Sequence, residues 1–183
     1  MRTFNSALTP LKYPLAKFTG RFGVILDRDG TINFDRGYTH KIEDLAFLPM
    51  LFESLTQLAN LGAEFFIASN QSGIGRRYFS KPDMENFNER IVSEFVKKGL
   101  KICAIYVCPH LPSTDEACLC RKPLPGLLNA ISRDYGLGAE NTWMVGNTAS
   151  DVSAGLSAGM NSFMIKSTTD WDLLVNAIRE SLV

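Results

Sequence analysis

The chain has 183 residues, of which 45% are hydrophobic and 21% charged, a composition ordinary for a soluble globular protein with a sizeable core. Its 19 basic and 19 acidic residues balance to a formal charge of zero, so neither nucleic acid nor a membrane surface is an expected partner. The sequence has no apolar run of membrane-spanning length and no signal-peptide pattern, and we expect a cytoplasmic protein.

Short apolar runs alternate with helical patterns along the chain. Residues 1–20 are interpreted as an N-terminal arm and residues 21–183 as a single domain. The predicted strands cover 22–27, 64–69, 102–108, 142–146 and 162–166, and the predicted helices cover 50–61, 82–98, 126–135, 149–158 and 171–182. Strict alternation predicts a three-layer α/β/α, Rossmann-like fold around a mainly parallel sheet. Ligands bind beyond the carboxyl ends of such strands, where this sequence reads "DRDGT", "SNQSG", "CPH" and "GNTASD".

The first predicted strand ends in two carboxylates, Asp27 and Asp29, followed at once by Gly30. Residues two apart at a strand end face the same side, so the two carboxylates can converge while Arg28 turns away. One can attack an electrophile while the other supplies and removes protons. Because two anions repel an anionic substrate, a divalent cation is expected beside them. The alternative is a polar turn, since Asp-Gly is common in turns.

"DRDGT" resembles the first motif of the haloacid-dehalogenase-like (HAD) phosphatases, and the resemblance extends from about residue 22 to residue 166. It implies that Asp27 is the nucleophile that forms an aspartyl-phosphate and that Asp29 is first general acid and then general base. Ser69 matches the second motif, whose hydroxyl holds phosphoryl oxygens. Lys122 in "CRKPLPG" is the candidate for the third-motif lysine. A lysine and a magnesium ion act on this transition state mainly through electrostatic positioning.

The segment "CPHLPSTDEACLC" contains Cys108, His110, Cys118 and Cys120. Three thiolates and an imidazole make a closed tetrahedral zinc site, and because the protein supplies all four ligands, the zinc is expected to be structural. The alternative is a chance cluster of buried thiols. The remaining cysteine, Cys103, lies inside a predicted strand and is interpreted as a small core residue.

The zinc loop followed directly by "CRKP" is similar to the heptose-bisphosphate and histidinol-phosphate phosphatase branch of the superfamily. Two further stretches, "INFDRGYTHKIEDLAFLP" and "SNQSGIGRRYF", resemble the substrate loop and second motif of the heptose enzymes. The resemblance implies eight substrate-binding residues: Asp35, Arg36, Gly37, Tyr38, Asn70, Gln71, Ser72 and Arg121. Arg121 is expected to recognise the second, non-reacting phosphate, a task that suits the guanidinium fork.

The fourth motif departs from the family pattern. "VGNTASD" places Asn147 where a metal-binding aspartate is expected and retains Asp151, so the implied magnesium ligands are Asp27, Asp29, Asn147 and Asp151. An amide oxygen binds magnesium without adding charge. Thr148 also stands where heptose enzymes often carry a lysine. We expect magnesium affinity below the family norm, or a larger role for Asp151.

The leading hypothesis is a magnesium-dependent sugar-phosphate phosphatase that removes the 7-phosphate of D-glycero-D-manno-heptose 1,7-bisphosphate, a precursor for lipopolysaccharide or capsule. One alternative is a histidinol-phosphate phosphatase of histidine biosynthesis. Another is a catalytically weak sugar-phosphate-binding homologue, which Asn147 motivates. A nucleotide binder has little support because neither a Walker loop nor a GxGxxG turn follows the first strand. The motif spacing leaves no room for a cap domain, and a monomer is expected.

Overall fold

The computed structural model describes residues 9–112 and 118–182, and within them a six-stranded sheet has the spatial order β1-β4-β3-β2-β5-β6. The strands are β1 Leu11–Pro14, β2 Phe22–Leu26, β3 Ala63–Asn70, β4 Ile102–Cys108, β5 Thr142–Gly146 and β6 Asn161–Met164. The helices are α1 Leu51–Asn60, α2 Ser72–Gly75, α3 Lys81–Lys97, α4 Gly126–Tyr135, α5 Ala149–Ser157 and α6 Thr169–Ser181. None of the helices in these two ranges is long and apolar enough to cross a membrane.

The five predicted strands and five predicted helices are all present, with ends displaced by at most two residues. Helix α3 shows why such ends are predictable. Its N-terminus is a capping box in which Ser80 and Asp83 bond each other's backbone N–H, with Pro82 in the first turn. Its buried face carries apolar side chains at helical spacing: Met84, Phe87, Ile91 and Phe95.

Two apolar clusters lie on opposite faces of the sheet. Alternate residues of β2 divide between them, since Val24 and Leu26 face one cluster and Ile25 faces the other. The first cluster is formed with α1, α3 and α6, and the second with α4 and α5. Strands β2 to β6 pair in parallel. The predicted three-layer, mainly parallel fold is therefore confirmed.

Strand β1 lies in the segment interpreted from the sequence as an arm, and it was not predicted. It pairs antiparallel with β4 at one edge of the sheet. Leu11 and Tyr13 are half-buried against the core, whereas Lys12 and Pro14 point to solvent. Proline lacks a backbone N–H and is tolerated on an edge strand. Pro14 is therefore compatible with this edge position.

Candidate active site

The carboxyl ends of the central strands open into a pocket of about 380 Å³. Strands β2, β3 and β5 are neighbours in the sheet, so residues that are far apart in sequence meet at this edge. The pocket is lined by Asp27, Asp29, Asp35, Gly37, Tyr38, Ser69, Asn70, Gln71, Ser72, Arg121, Lys122, Asn147, Thr148, Ser150 and Asp151. Of the residues predicted to act in catalysis or to bind substrate or magnesium, all but Arg36 line this pocket. The exposed Arg36 side chain instead approaches Asp44, at 3.8 Å.

Lys122 stands between two carboxylates on the floor of the pocket. Its Nζ lies 2.5 Å from Asp27 Oδ1 and 2.7 Å from Asp151 Oδ1, and it donates to the Ala68 carbonyl at 2.7 Å. Burial raises the pKa of Asp27 to about 6, although the Lys122 ammonium opposes this change. Burial alone lowers the pKa of Lys122, but the two carboxylates raise it above its ordinary value. At neutral pH the site therefore holds an ionised carboxylate beside an ammonium.

The carboxylate of Asp29 accepts hydrogen bonds on both oxygens. Asn33 Nδ2 donates to Oδ1 at 3.0 Å, and Gln71 Nε2 donates to Oδ2 at 2.7 Å. Arg28 also contacts both oxygens, from 2.7 to 3.1 Å. The expectation that Arg28 turns away from the pair is wrong for its guanidinium. The alternation rule describes the direction of Cβ, and a long side chain can fold back from there.

Strand β3 and the residue that follows it supply a hydroxyl and two amides to the pocket. Gln71 Nε2 donates to Ser69 Oγ at 2.8 Å as well as to Asp29, so one amide joins the first and second motifs. Asn70 forms a reciprocal pair with the backbone of Lys122, each hydrogen bond being 3.1 Å long. Asn70 thus holds the chain from which the Lys122 side chain projects, a contact that the sequence analysis does not predict. Ser72 begins α2, a short helix that was not predicted.

The fourth motif follows β5. Asn147 lies close to the first motif, since a Cβ on Gly30 would be 2.1 Å from Asn147 Nδ2, and the φ of +82° at Gly30 explains the glycine there. Both oxygens of Asp151 have protein partners, because Oδ1 meets Lys122 and Oδ2 accepts from the backbone N–H and hydroxyl of Thr148. The hard oxygens of Asp27, Asp29 and Asn147 line the pocket and suit magnesium.

The predicted substrate loop packs on the segment that follows α2. Tyr38 has φ +55°, a left-handed conformation that costs a bulky residue about 1 kcal/mol. Its ring packs edge-on against the Tyr78 ring, with the ring centres 4.8 Å apart, and the His40 ring stacks on the Phe79 ring with the centres 4.7 Å apart. These two ring contacts hold the loop beside the pocket, so a strained Tyr38 forms part of its rim.

A cluster of soft donors lies next to the pocket. Cys108, His110, Cys118 and Cys120 each offer one ligand atom, and these atoms all lie within 4.8 Å of one another. A hydrogen bond from Cys120 lowers the pKa of Cys108 to about 5 and raises the pKa of Cys120 above its ordinary value. This donor set fits a tetrahedral zinc ion. The predicted loop between the cysteine pairs falls partly on residues 113–117, which lie outside the described residues. Cys103 is fully buried in the core, as predicted.

The soft-donor cluster is joined to Lys122 by a short stretch of chain. Cys120 is followed directly by Arg121 and Lys122. Arg121 Nη1 approaches the carbonyl oxygen of His110 at 3.4 Å. A metal held by the cluster would thus fix the backbone on which both cations of the pocket are carried.

Comparison with known proteins identifies the family. A family model described as HAD-hydrolase-like matches residues 119–173. The chain is 39% identical over 142 residues to the D-glycero-alpha-D-manno-heptose-1,7-bisphosphate 7-phosphatase of Campylobacter jejuni, covering 78% of this chain and 80% of that protein. The chain belongs to the HAD-like phosphatases. It is a phosphoric monoester hydrolase, and the resemblance of its motifs to this family is confirmed.

Other HAD-like phosphatases share the sequence or the fold. The D-glycero-beta-D-manno-heptose-1,7-bisphosphate 7-phosphatase of Pseudomonas putida is 38% identical over 144 residues, covering 78% of this chain and 81% of that protein. The crystal structure of D,D-heptose 1,7-bisphosphate phosphatase from B. bronchiseptica, complexed with magnesium and phosphate, matches with 28% sequence identity and a TM-score of 0.74. The match covers 85% of this chain and 86% of that chain. A putative HAD-like phosphatase from Mesorhizobium loti, 21% identical over 97% and 96% of the chains, shares the fold with TM-score 0.84.

Proposed function

We propose that this HAD-like phosphatase is a magnesium-dependent enzyme that hydrolyses the 7-phosphate of D-glycero-D-manno-heptose 1,7-bisphosphate through an aspartyl-phosphate. The observation that carries the proposal is the buried pair of Asp27 and Lys122, 2.5 Å apart, beside Asp29 in one pocket. The substrate part of the proposal is supported by the similarity of the chain to enzymes that are named for this reaction. Those relatives are named for both anomers, so the proposal concerns the 7-phosphate and not the anomer.

In the first half-reaction, Asp27 attacks the 7-phosphorus and the bond from phosphorus to the sugar oxygen breaks. Asp29 donates a proton to that oxygen as it leaves. In the second half-reaction, Asp29 takes a proton from water, the resulting hydroxide attacks phosphorus, and the carboxylate of Asp27 is released with inorganic phosphate. Lys122 balances the charge of Asp27, and the Ser69 hydroxyl lies where it can bind a phosphoryl oxygen.

The proposal includes two metals. Magnesium would be held by oxygens of Asp27, Asp29 and Asn147, and it supplies the positive charge that lets an anionic phosphate approach two carboxylates. Because the oxygens of Asp151 contact Lys122 and Thr148, we assign Asp151 to orienting the lysine rather than to direct ligation. Zinc in the Cys/His cluster has a structural role, since the cluster provides four protein ligands.

The proposed organisation is one domain that covers residues 21–183 and also includes β1, which pairs with β4 in the same sheet, working as a cytoplasmic monomer. Both apolar clusters pack on the same sheet. Each includes residues of β2, and they extend along the chain to α5 and α6, which supports a single domain. The free thiols of all four cysteines suit a reducing compartment. The monomer stays a prediction, to be checked by measuring the mass of the protein in solution.

The decisive experiment replaces the nucleophile. Asp27→Asn is expected to abolish magnesium-dependent phosphate release, whereas Asp172→Asn, an exposed change on α6, keeps it. Crystals of the unaltered protein soaked with beryllium fluoride and magnesium should show the phosphate mimic bonded to Asp27. Full activity of Asp27→Asn, or a mimic lying away from this side chain, contradicts the mechanism. Turnover of heptose bisphosphate and histidinol phosphate, measured side by side, decides between the two substrates.

A further inference from the structure

We propose that Arg28 is a positioning residue: it fixes the carboxyl plane of Asp29 and thereby determines how well the enzyme expels a poor leaving group. This inference rests on the proposed role of Asp29 as general acid. Arg28 lies between the two catalytic aspartates in sequence, and its side chain is only 1% exposed. A fully buried guanidinium is costly unless every donor direction is used, so its contacts indicate its role.

Three contacts join the guanidinium to Asp29. Nε and Nη2 of Arg28 approach Oδ1 at 3.1 and 2.9 Å, and Nη2 approaches Oδ2 at 2.7 Å. Because both oxygens are contacted, rotation of the carboxyl group about its Cβ–Cγ bond is opposed. Asn33 and Gln71 each hold one of these oxygens, whereas the guanidinium binds both at once and so restrains the plane more strongly.

The guanidinium is itself held from three directions. Nη1 donates to Asn88 Oδ1 at 3.2 Å, Nη2 donates to the Thr39 carbonyl at 2.7 Å, and the guanidinium carbon lies 4.7 Å from the centre of the Phe87 ring. Asn88 and Phe87 belong to α3, whereas Thr39 belongs to the predicted substrate loop. Arg28 thus transmits the position of a rigid helix to the general acid. A lysine ammonium cannot make the fork to Asp29 and these outer contacts together.

The plane of the Asp29 carboxyl group matters because of what faces it. Gln71 Nε2 contacts both Asp29 Oδ2 and Ser69 Oγ, so Oδ2 is the oxygen on the side of the proposed phosphoryl site. A proton carried there reaches the leaving sugar oxygen only in the correct carboxyl orientation. A change at Arg28 that lets the plane rotate should therefore impair proton donation before it impairs phosphate binding.

The competing explanation is that Arg28 only stabilises the fold. Two substrates of nearly equal size separate the two roles, phenyl phosphate and 4-nitrophenyl phosphate. Nitrophenolate leaves without a proton, whereas phenolate depends more strongly on general acid assistance. The value of kcat/KM for such substrates reports the steps up to loss of the leaving group, so slow hydrolysis of the aspartyl-phosphate does not obscure the comparison.

The experiment measures kcat/KM for both aryl phosphates, with saturating magnesium, in Arg28→Lys, Asn88→Ala and Asp29→Asn. We expect Arg28→Lys to lose about 100-fold on phenyl phosphate and less than about 10-fold on 4-nitrophenyl phosphate. Asn88→Ala loosens the guanidinium without removing it. Its loss of kcat/KM should be about 3-fold larger on phenyl phosphate than on 4-nitrophenyl phosphate. Arg90→Lys, an exposed change on α3, should leave both values unchanged.

Asp29→Asn separates failure of this inference from failure of the mechanism. If Asp29→Asn is selective for the poor leaving group but Arg28→Lys loses equally on both substrates, Arg28 is a structural residue and the inference is overturned while the mechanism stands. If Asp29→Asn is not selective, both are overturned. Should Arg28→Lys fail to fold, Asn88→Ala decides alone: an unchanged ratio of the two kcat/KM values overturns the inference, and a shifted one supports it.

Discussion

Lys122 and Asp27 form an ion pair inside the protein, with Nζ 2.5 Å from Oδ1 and the lysine side chain only 1% exposed. Asp151 places a second carboxylate 2.7 Å from the same nitrogen. One ammonium therefore serves two buried carboxylates, which would repel each other without it. The group proposed to steady the nucleophile also keeps the core of the site stable.

Removing the ammonium should destabilise the protein in a pH-dependent way. We expect Lys122→Met to abolish activity and to lower the free energy of unfolding by about 3–5 kcal/mol at pH 8, because two buried charges lose their partner. The loss should shrink at pH 5, below the Asp27 pKa of about 6, since a protonated carboxyl needs no counter-charge. Urea unfolding at both pH values, without added magnesium, measures this.

The matched control for this prediction is Lys97→Met. That lysine is 57% exposed and pairs only with surface Glu94 in the described contacts, so its removal should cost less than about 1 kcal/mol at either pH. An equal loss at pH 5 and pH 8 in Lys122→Met contradicts the charge argument and points to lost packing instead.

Loss of the Cys/His cluster should remove catalysis as well as metal. Cys118→Ser is expected to lower bound zinc below one ion per chain and to reduce kcat at least about 10-fold, because Cys120 lies two residues before Lys122. Atomic absorption and phosphate release measure the two effects. Cys103→Ser is the matched control, because Cys103 is buried outside the cluster and this variant should keep the zinc content of the unaltered protein. Full activity of metal-free Cys118→Ser contradicts the proposed support of the lysine.

The sequence predicts the parts of this site that depend on local order. Asp27, Ser69 and Asn147 come at or directly after apolar runs, and the strand order of an alternating chain brings such positions to one edge. The Cys/His cluster is likewise readable, because ligand spacing is a short-range property of the chain. Periodicity and ligand spacing predict the strand ends and the Cys/His cluster, whereas the roles of Ser69 and Asn147 are predicted only by the resemblance of their motifs to the HAD phosphatases.

The contacts that the sequence does not reveal join residues that are distant along the chain. Asn70 holds the backbone of Lys122 across 52 positions, and Arg28 reaches Asn88 across 60. An amide that binds backbone leaves no pattern of its own, so the sequence predicts only a substrate-binding role for Asn70. Strand β1 was missed for a similar reason, since its strand character comes from pairing with β4 rather than from its four residues.

Restoring the family's charge at position 147 should strengthen magnesium binding. Asn147→Asp adds a carboxylate beside Asp27, and ligand charge sets the affinity of oxygen sites. We expect about 10-fold tighter magnesium binding by calorimetry. The accompanying change in kcat discriminates between two hypotheses for the wild-type protein. A large gain indicates a catalytically weak sugar-phosphate-binding homologue, whereas no gain indicates an enzyme that already works with the amide of Asn147. Unchanged magnesium affinity contradicts the assignment of Asn147 as a ligand.

Arg121 should matter most for a substrate with two phosphates. It lines the pocket next to Lys122 but makes no described contact with Asp27, so it is available for the non-reacting phosphate. Arg121→Ala is expected to lower kcat/KM about 10- to 100-fold for heptose 1,7-bisphosphate and less than about 3-fold for heptose 7-phosphate. Equal losses on the two sugars contradict a role in recognising the second phosphate.

Glu64, at the opposite end of the sheet, should make stability depend on acid pH. It accepts from Lys101 Nζ and from the backbone and hydroxyl of Thr19, each at 2.8 Å. Burial alone raises the pKa of Glu64, but these donors outweigh it and lower the pKa from 4.5 to about 2. A depressed carboxyl pKa contributes stability that is complete above the ordinary value and is lost as pH falls through the native one.

Glu64→Gln should therefore be less stable than the unaltered protein by about 1–2 kcal/mol at pH 7, after allowance for solvent screening. The difference should decline from pH 5 downward and vanish only below pH 2, where the native carboxyl also becomes protonated. Urea unfolding at a series of pH values gives this difference directly, and the exposed change Glu180→Gln on α6 serves as the control. A difference that stays constant from pH 7 to pH 3 means that the Glu64 charge contributes nothing and that only its shape is needed to hold Thr19 and Lys101.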